Sequence, residues 1–247
     1  MQILSHNCYW FQGHPFDSDA PGAPHEEIFP ALVALYRRIG AGLVCLQEVQ
    51  DEAAFRLLAG ELGMDGRHTP GGALPQYGGA VLWRGGGGGE LLIDSAATGP
   101  PPQRMWQLAR SASGLVVANV HLPSARQLGS ELAAAARVAE METVLGADTS
   151  PDVVLGDFNE QPGGPVGGLL SERGYLDAAV LGDCAARPTA LGGGRGDQIW
   201  IREGLRASLV EYAVPEPETL ATGIAGKKYL SDHLPLWVVL DVEGGHR

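Results

Sequence analysis

The stretch Val153-Val154-Leu155-Gly156-Asp157-Phe158-Asn159 shows its chemistry most plainly. An apolar run, the pattern of a fully buried strand, stops at a carboxylate and an amide two residues apart. Side chains two apart on extended backbone point the same way, so Asp157 and Asn159 project together from a strand end. An ionised Asp buried there needs a cation or strong donors. Taken alone, the stretch also fits a strand followed by an Asx-turn. Five further polar strand ends argue against that reading. Asn7 follows Ile3-Leu4-Ser5-His6, Glu48 follows Leu43-Val44-Cys45-Leu46-Gln47, and His121 ends a strand beginning at Leu115. Asp197 and Asp232-His233 stand just ahead of two late strands. If those two strands run antiparallel to their neighbours, all six ends meet on one rim, which is an active-site pattern. Oxygen ligands without thiolates suit a hard cation such as Mg²⁺ or Mn²⁺. No serine elbow, P-loop or Cys-His-Cys arrangement competes.

The elements that must position these groups can be read from periodicity. Ile28, Leu32, Leu35 and Ile39 predict a helix with one apolar face, Pro30 in its first turn and Gly40 and Gly42 beyond its end. Asp51 is an N-cap for a second helix through Ala54, Phe55, Leu58 and Leu62. Residues 79–83 and 90–95 read as a strand pair around the glycine tip at residues 85–89. Residues 104–110 and 115–121 form a hairpin through Ala112-Ser113-Gly114. Leu128, Leu132, Ala135, Val138, Met141 and Leu145 mark a long helix whose stripe is core. A Gly/Pro loop at residues 161–168 leads into a short helix ending near Gly174. Residues 198–201 form a strand with 207–214 as its partner, and residues 234–240 form the last strand. The long loop at residues 8–24 carries Tyr9, Trp10, Phe11, His14 and Phe16; it is edge packing or a pocket wall. No repeat or linker divides the chain, and residues 1–247 read as one domain.

Composition bounds the function. The net charge of −12 shows none of the overall basic footprint of a nucleic-acid binder. The chain's only two lysines, Lys227 and Lys228, precede Ser231-Asp232-His233; a solvated loop explains them, but their place beside that motif favours a phosphate-facing role. Cys8, Cys45 and Cys184 cannot form a complete disulfide set and have no metal-ligand spacing. The chain opens directly into an alternating apolar segment with no signal-like region, and no run approaches a membrane span. The expectation is a soluble, reduced, cytoplasmic protein.

Together, Gln47-Glu48, Asn119-Val120-His121-Leu122, Gly156-Asp157-Phe158-Asn159, Asp197-Gln198-Ile199 and Ser231-Asp232-His233-Leu234-Pro235 resemble the endonuclease/exonuclease/phosphatase superfamily. That group includes pancreatic-type deoxyribonucleases, abasic-site endonucleases, neutral sphingomyelinases and inositol-polyphosphate 5-phosphatases. The resemblance covers nearly the whole chain. It implies an α/β (α+β) fold, a four-layer sandwich of two packed, largely antiparallel β-sheets flanked by helices. By resemblance, Glu48 is the principal metal ligand, assisted by Asn7 and Asp232. Asp157, with Asn159, orients and activates the attacking water. Asp197 hydrogen-bonds His233, and His233 and His121 contact the scissile phosphate. These types suit a phosphoester, whose non-bridging oxygens need neutralising while water is held near a carboxylate.

Two departures separate the chain from the abasic-site enzymes. Their first strand ends in Asn-x-Asp, where this chain has Tyr9, and they lack the histidine that stands here as His121. The leading expectation is therefore a metal-dependent phosphoester hydrolase acting on a small phosphorylated metabolite or a lipid-like phosphodiester. Lys227, Lys228 and Arg104 are its expected substrate-binding residues. The alternatives are a DNA or RNA nuclease, with Arg84, Arg104, Arg126 and Arg195 lining a basic groove, and a catalytically idle binding module. A small-molecule enzyme would instead show a pocket built by the loops at residues 9–16 and 219–228.

Overall fold

The computed structural model describes residues 1–85 and 89–242. In chain order the elements are β1 (Gln2–Asn7), α1 (Ile28–Ile39), β2 (Leu43–Gln47), α2 (Glu52–Leu62), β3 (Met64–Thr69) and β4 (Gly79–Arg84). Then come β5 (Gly89–Asp94), β6 (Met105–Ser111), β7 (Val116–His121), α3 (Ala125–Leu128), α4 (Ser130–Leu145) and β8 (Val153–Asp157). The chain ends with α5 (Pro165–Glu172), β9 (Tyr175–Asp177), α6 (Ala178–Leu181), β10 (Asp197–Arg202), β11 (Leu209–Ala213) and β12 (Leu236–Leu240). One sheet has the order β11-β12-β1-β2-β4-β3 and the other β5-β6-β7-β8-β10-β9. The pairs β1–β2 and β7–β8 are parallel. The remaining pairs are antiparallel, so both sheets are mixed. Among the described residues, no helix is long and apolar enough to cross a membrane.

Residue parity assigns the layers, because successive strand side chains face opposite sides. In the second sheet Trp106, Leu108, Ala118, Val120, Val154 and Trp200 pack with Met141, Val144, Val166 and Leu170 of α4 and α5. Their odd-numbered neighbours Ala109, Val117, Val153, Leu155, Ile199 and Ile201 join the larger core shared with the first sheet, α1 and α2. The result is helix, sheet, sheet, helix, as expected for the fold class.

The space between the sheets also holds a polar ladder. Gln47, Thr69, Gln107 and Asn119 are all fully buried. Gln47 Nε2 donates to Asn119 Oδ1 at 2.7 Å, Asn119 Nδ2 to Gln107 Oε1 at 3.0 Å, and Gln107 Nε2 to Thr69 Oγ1 at 3.0 Å. The ladder starts on β2, crosses to β7 and β6, and returns to β3. Burial of amides is tolerable only with such mutual pairing.

Several sequence expectations are corrected. Residues 79–83 and 90–95 do not pair: β4 lies between β2 and β3, while β5 edges the other sheet. The strand β3 that takes that place has no apolar run, only an alternation of buried and exposed positions. Of the expected glycine tip at residues 85–89, residues 86–88 lie outside the described residues. The partner of β10 is not the segment 207–214; that segment contains β11, which pairs with β12 in the opposite sheet. The expected helical stripe at 128–145 holds at Met141 and Leu145 but fails in its first half, since Leu132 is 68% exposed and Leu128 belongs to the separate α3. The buried face of α4 is Ala133, Arg137, Met141, Val144 and Leu145. Its unexpected member Arg137 is held by Glu160 at 3.1 Å and the Pro123 carbonyl at 3.0 Å. Finally, α5 begins inside the loop expected at 161–168, with Pro165 in its first turn, where the missing N–H costs nothing.

Candidate active site

Register brings the six polar strand ends together. β1 and β2 run parallel and finish at Asn7 and Gln47-Glu48; β7 and β8 run parallel and finish at His121 and Asp157. β10 runs antiparallel to β8 with Asp197 opposite Asp157. β12 runs antiparallel to β1, which brings the preceding Asp232-His233 to the same rim. Asn7 stitches the two sheets here, its Nδ2 donating to Glu48 Oε1 at 3.2 Å and to Asp157 Oδ2 at 3.1 Å. Its Oδ1 accepts from the Tyr9 N–H at 3.1 Å. Asn7 thus bridges two carboxylates in this structure rather than presenting its oxygen to them.

Backbone strain concentrates at this rim. Among the described residues six non-glycines have positive φ, and five of them belong to the site or to the turn that walls it: Tyr9 (49°), Trp10 (52°), Phe11 (56°), Glu48 (57°) and Asn159 (51°). A left-handed conformation costs about 1–2 kcal/mol for such residues. The three aromatic residues are held by backbone bonds from Trp10 to Glu48 and from Phe11 to Cys8, and by burial of Phe11. Gly156, at φ 135°, is the one residue that fits before Asp157, since a Cβ there would lie 1.9 Å from the Val120 carbonyl.

The two histidines of the rim differ in charge. His233 Nδ1 donates to Asp197 at 2.8 and 3.0 Å, and Thr189 Oγ1 donates to Asp197 Oδ2 at 3.0 Å. Burial alone would lower His233, but the Asp197 carboxylate more than offsets it and the ring is held protonated well above the usual histidine range. Burial pushes Asp197 up to about 6 while His233 opposes the rise. The fully buried His121 is pushed down to about 4, by burial first and then by Arg104. The Arg104 guanidinium lies against His121 Nε2. His121 Nε2 also lies 3.3 Å from Asp157 Oδ2.

Asp157 is the most strongly held acid. Burial would raise it, but the adjoining His121 ring and the cations His233 and Arg104 keep it well below the usual carboxylate range. Its Oδ1 accepts from the Asn159 N–H at 2.9 Å, and Asn159 Nδ2 donates to the Leu122 carbonyl at 3.0 Å. Glu48 behaves oppositely: burial pushes it up to about 7, with Arg104 at 3.7 Å pulling it down.

These groups open into a cavity of about 570 Å³. Glu48, Asp157, Asn159, Asp232, His233 and Arg104 line it, with Asp197 and His121 behind. Two buried oxygens at this site, Glu48 Oε2 and Asp232 Oδ1, have no hydrogen-bond partner. Unsatisfied carboxylate oxygens in one acidic cavity are what a hard divalent cation would satisfy, so Glu48 and Asp232 fit such an ion. Asp157, Asp197 and His233 also lie close enough to ligate, within 4.8 Å of one another. That set already satisfies itself internally through the Asp197–His233 pair.

Not every expected residue reaches the cavity. Lys227 Nζ donates to the carbonyls of Gly13 at 3.3 Å and Pro15 at 2.9 Å and lies over the Phe16 ring. It braces the aromatic loop. Lys228 is likewise not part of the lining; its backbone N–H bonds the His14 carbonyl. Arg195 is buried against Asp177, and Arg84 donates to the Gly40 carbonyl. Of the arginines proposed for a basic groove, Arg104 and Arg126 line the cavity.

Sequence reasoning missed Tyr77 and His6. Tyr77 sits under Arg104, 4.2 Å from ring centroid to guanidinium carbon, and lines the cavity. No motif announces it. His6 is buried beneath the rim, where burial pushes its pKa down to about 3. Its Nε2 donates to the His233 carbonyl at 3.0 Å and its Nδ1 accepts from the Tyr36 hydroxyl at 2.8 Å. The alternation in β1 could have placed His6 facing α1, but not its partner.

Two packed mixed sheets with acids, amides and imidazoles gathered at one rim define a class, the phosphoester hydrolases of this sandwich fold. The profile of the Endonuclease/Exonuclease/phosphatase family matches residues 4–233, and the chain belongs to that family. The chain is similar in structure to a mannosyl-6-phosphatase from Bacteroides thetaiotaomicron VPI-5482, with 15% identity and a TM-score of 0.70 over 98% of this chain and 99% of that one. It is similar to a 3'-5' exonuclease from Neisseria meningitidis, with 18% identity and a TM-score of 0.67 over 98% and 100%. It is also similar to an AP endonuclease from Archaeoglobus fulgidus, with 17% identity and a TM-score of 0.67 over 98% and 99%. At these identities the likeness is one of fold. No curated protein matches the chain.

Proposed function

We propose that this protein is a divalent-metal-dependent hydrolase of a small phosphorylated metabolite or phosphodiester. The observation that carries the reading is the pair of unpartnered buried oxygens, Glu48 Oε2 and Asp232 Oδ1, in a cavity that also presents Arg104 and a charged His233. Glu48 and Asp232 would hold Mg²⁺ or Mn²⁺, with Asn7 setting the spacing of the carboxylates. When bound, the ion supplies positive charge for the non-bridging phosphoryl oxygens. Asp157, ionised and fixed by Asn159 and Asn7, orients the attacking water and accepts its proton. His233, backed by Asp197, donates to the phosphoryl group, and Arg104 adds a second cation. His121, fully buried, positions Asp157 and Arg104. Neither Lys227 nor Lys228 lines the cavity, so neither contacts the phosphate.

A small substrate is favoured because the cavity is walled by the loop at residues 9–19 rather than opening as a basic groove. The likeness to the mannosyl-6-phosphatase agrees with that choice. A nuclease reading has Arg126 and the exonuclease likeness in its favour, and its mark would be a steep fall in affinity with salt.

Glu48→Gln tests the metal site. Phosphate release should fall by at least about 10²-fold, as when one electrostatic stabiliser is removed. Mg²⁺ affinity by calorimetry should fall with it, while the melting temperature of the metal-free protein holds. Unchanged turnover at limiting Mg²⁺ would refute the assignment.

A further inference from the structure

We propose that His6 is a positioning residue for the reaction: its hydrogen bond to the peptide carbonyl of His233 sets where that charged ring stands, and Tyr36 locks His6 in the one tautomer that makes the bond. The loss of rate this predicts rests on the hydrolase reading above; the bond itself does not. His6 is buried on the face of β1 that meets Tyr36 of α1, whose ring lies edge-on to it with centroids 5.7 Å apart. An apolar side chain could fill that place without partners, whereas a buried imidazole is tolerable only with its nitrogens paired. Both are paired. Nε2 lies 3.0 Å from the His233 carbonyl oxygen and Nδ1 lies 2.8 Å from the Tyr36 hydroxyl.

The two partners fix the proton. A carbonyl oxygen only accepts, so Nε2 carries the hydrogen. Burial keeps the ring neutral, which leaves Nδ1 bare, and the Tyr36 hydroxyl is the donor that meets it. Without that hydroxyl the hydrogen is free to sit on either nitrogen, and only one of the two tautomers reaches His233.

What the bond holds follows from the loop around it. His233 stands outside β12, in an isolated bridge with Ala190. Its neighbours are tied across that bridge, the Leu191 N–H to the Asp232 carbonyl and the Leu234 N–H to the Thr189 carbonyl, each at 2.8 Å. The peptide groups of His233 itself are met by side chains instead. Its N–H donates to Ser231 Oγ at 3.2 Å, and Ser231 Oγ donates to the Asn7 carbonyl at 2.8 Å. Its carbonyl accepts from His6. Both ties therefore end on β1, the strand whose Asn7 bridges Glu48 and Asp157. Asp197 orients the His233 ring through Nδ1, while His6 and Ser231 fix the backbone from which the ring swings. The charged donor is thus held against the same strand end that spaces the two carboxylates. A misplacement of about 1 Å at such a group can cost about 10²-fold in rate.

Two amides separate the two ends of the imidazole. Glutamine places a donor nitrogen where the ring has Nε2, and asparagine places an acceptor oxygen where it has Nδ1. His6→Gln therefore keeps the bond to His233, and His6→Asn keeps only the bond to Tyr36. Turnover of p-nitrophenyl phosphate, its bis ester and a hexose 6-phosphate is followed with Mg²⁺. In His6→Asn kcat should fall by roughly 10–10²-fold with KM little changed, and His6→Gln should recover most of that loss. Tyr36→Phe should fall between the two, and the nitrogen NMR signals of His6 should pass from a pure Nε2–H tautomer in the wild type to a mixture. This smaller change carries the test if His6→Asn does not fold. A part in folding alone would make kcat follow the melting temperature and treat the two amides alike. Equal kcat in the two His6 variants, undiminished kcat in His6→Asn, or a wild-type His6 protonated at Nδ1 would overturn the proposal. The low-field Nδ1–H proton of His233 gives a readout that needs no turnover: it should shift in His6→Asn and stay in His6→Gln. That result with a wild type that cleaves none of the three compounds would leave the positioning role standing and count against the hydrolase reading. Turnover with a His233 proton unmoved in both variants would do the reverse.

Discussion

His121 and His233 stand at the same rim, a few ångströms from Asp157, yet carry opposite charge. His233 has a carboxylate at 2.8 Å and is held protonated; His121 has a guanidinium against its ring and is pushed down to about 4. Burial disfavours the cation in both. Around His233 the carboxylates of Asp197, Asp232 and Asp157 outweigh burial, whereas at His121 Arg104 adds to it, so one residue type serves as a charged donor in one place and a neutral spacer in the other.

The largest effect should come from breaking the charged end. Asp197→Asn removes the nearest carboxylate and leaves only Asp232 and Asp157 to oppose burial, so the His233 ring should titrate lower than in the wild type in the metal-free protein by NMR. Turnover should fall on the order of 10²–10³-fold, as for loss of one preorganised donor. His233→Ala should be at least as damaging, and the double variant little worse than the worse single one, because paired residues act non-additively. Fully additive losses would show that the two do not work as a unit. The pH dependence of stability should change with it. The raised His233 stabilises the wild type below about pH 6.5, and that contribution is lost as pH rises through its folded value. The Asn variant should show a smaller loss in a series of melts.

An intermediate effect is expected at the neutral end. Arg104→Met removes the cation beside His121, whose titration should then move upward from about 4. The same change leaves Glu48 without its nearest positive neighbour, so its carboxyl should titrate higher still. Turnover should fall by roughly 10–10²-fold, less than for Asp197→Asn because His233 remains charged. An unmoved His121 resonance across the titration would break the comparison.

The smallest effect concerns the support under Arg104. Glu140 Oε1 accepts from the Gln103 N–H at 2.9 Å, its Oε2 has no partner, and burial pushes the group up to about 7. A carboxyl raised above its unfolded value near 4.3 costs stability as pH rises from that value to the folded one. Glu140→Gln keeps the acceptor and removes the charge. Its unfolding free energy should pull ahead of the wild type between pH 4.5 and 7, by about 1.4 kcal/mol per pH unit at most, as read by denaturant titration at each pH. A constant difference across that window would show that Glu140 ionises freely.

The strand ends were legible in the sequence because each couples an apolar run to an abrupt polar stop. The sequence alone places Glu48, His121, Asp157, Asp197 and Asp232-His233 on one rim, given antiparallel closing strands. Sheet membership was not legible. β4 and β5 are neighbours in sequence, and a glycine-rich connection reads as a hairpin whether or not the chain crosses to the other sheet. The phase of α4 was hidden by its alanines, which leave the apolar stripe ill-defined, and by Arg137, a charged residue that is buried through a distant partner. The lysines failed for a related reason. Proximity in sequence to Asp232 says nothing about direction, and Lys227 points back to Gly13 and Pro15, more than two hundred positions away in the chain. Tyr77 had no signal, since its role depends on Arg104, which arrives from a distant loop.

The amide ladder between the sheets bears on how the reactive groups are aligned. Asn7 and Glu48 ride on one sheet, His121, Asp157 and Asp197 on the other. Two greasy faces, pressed together, tolerate sliding, whereas Gln47, Asn119, Gln107 and Thr69 mate like a key in a slot. A slip of one residue, roughly 3.3 Å along a strand, would unmake every one of those bonds at once. The alignment of a two-sided reaction centre is thereby fixed from below, by groups that never meet the substrate.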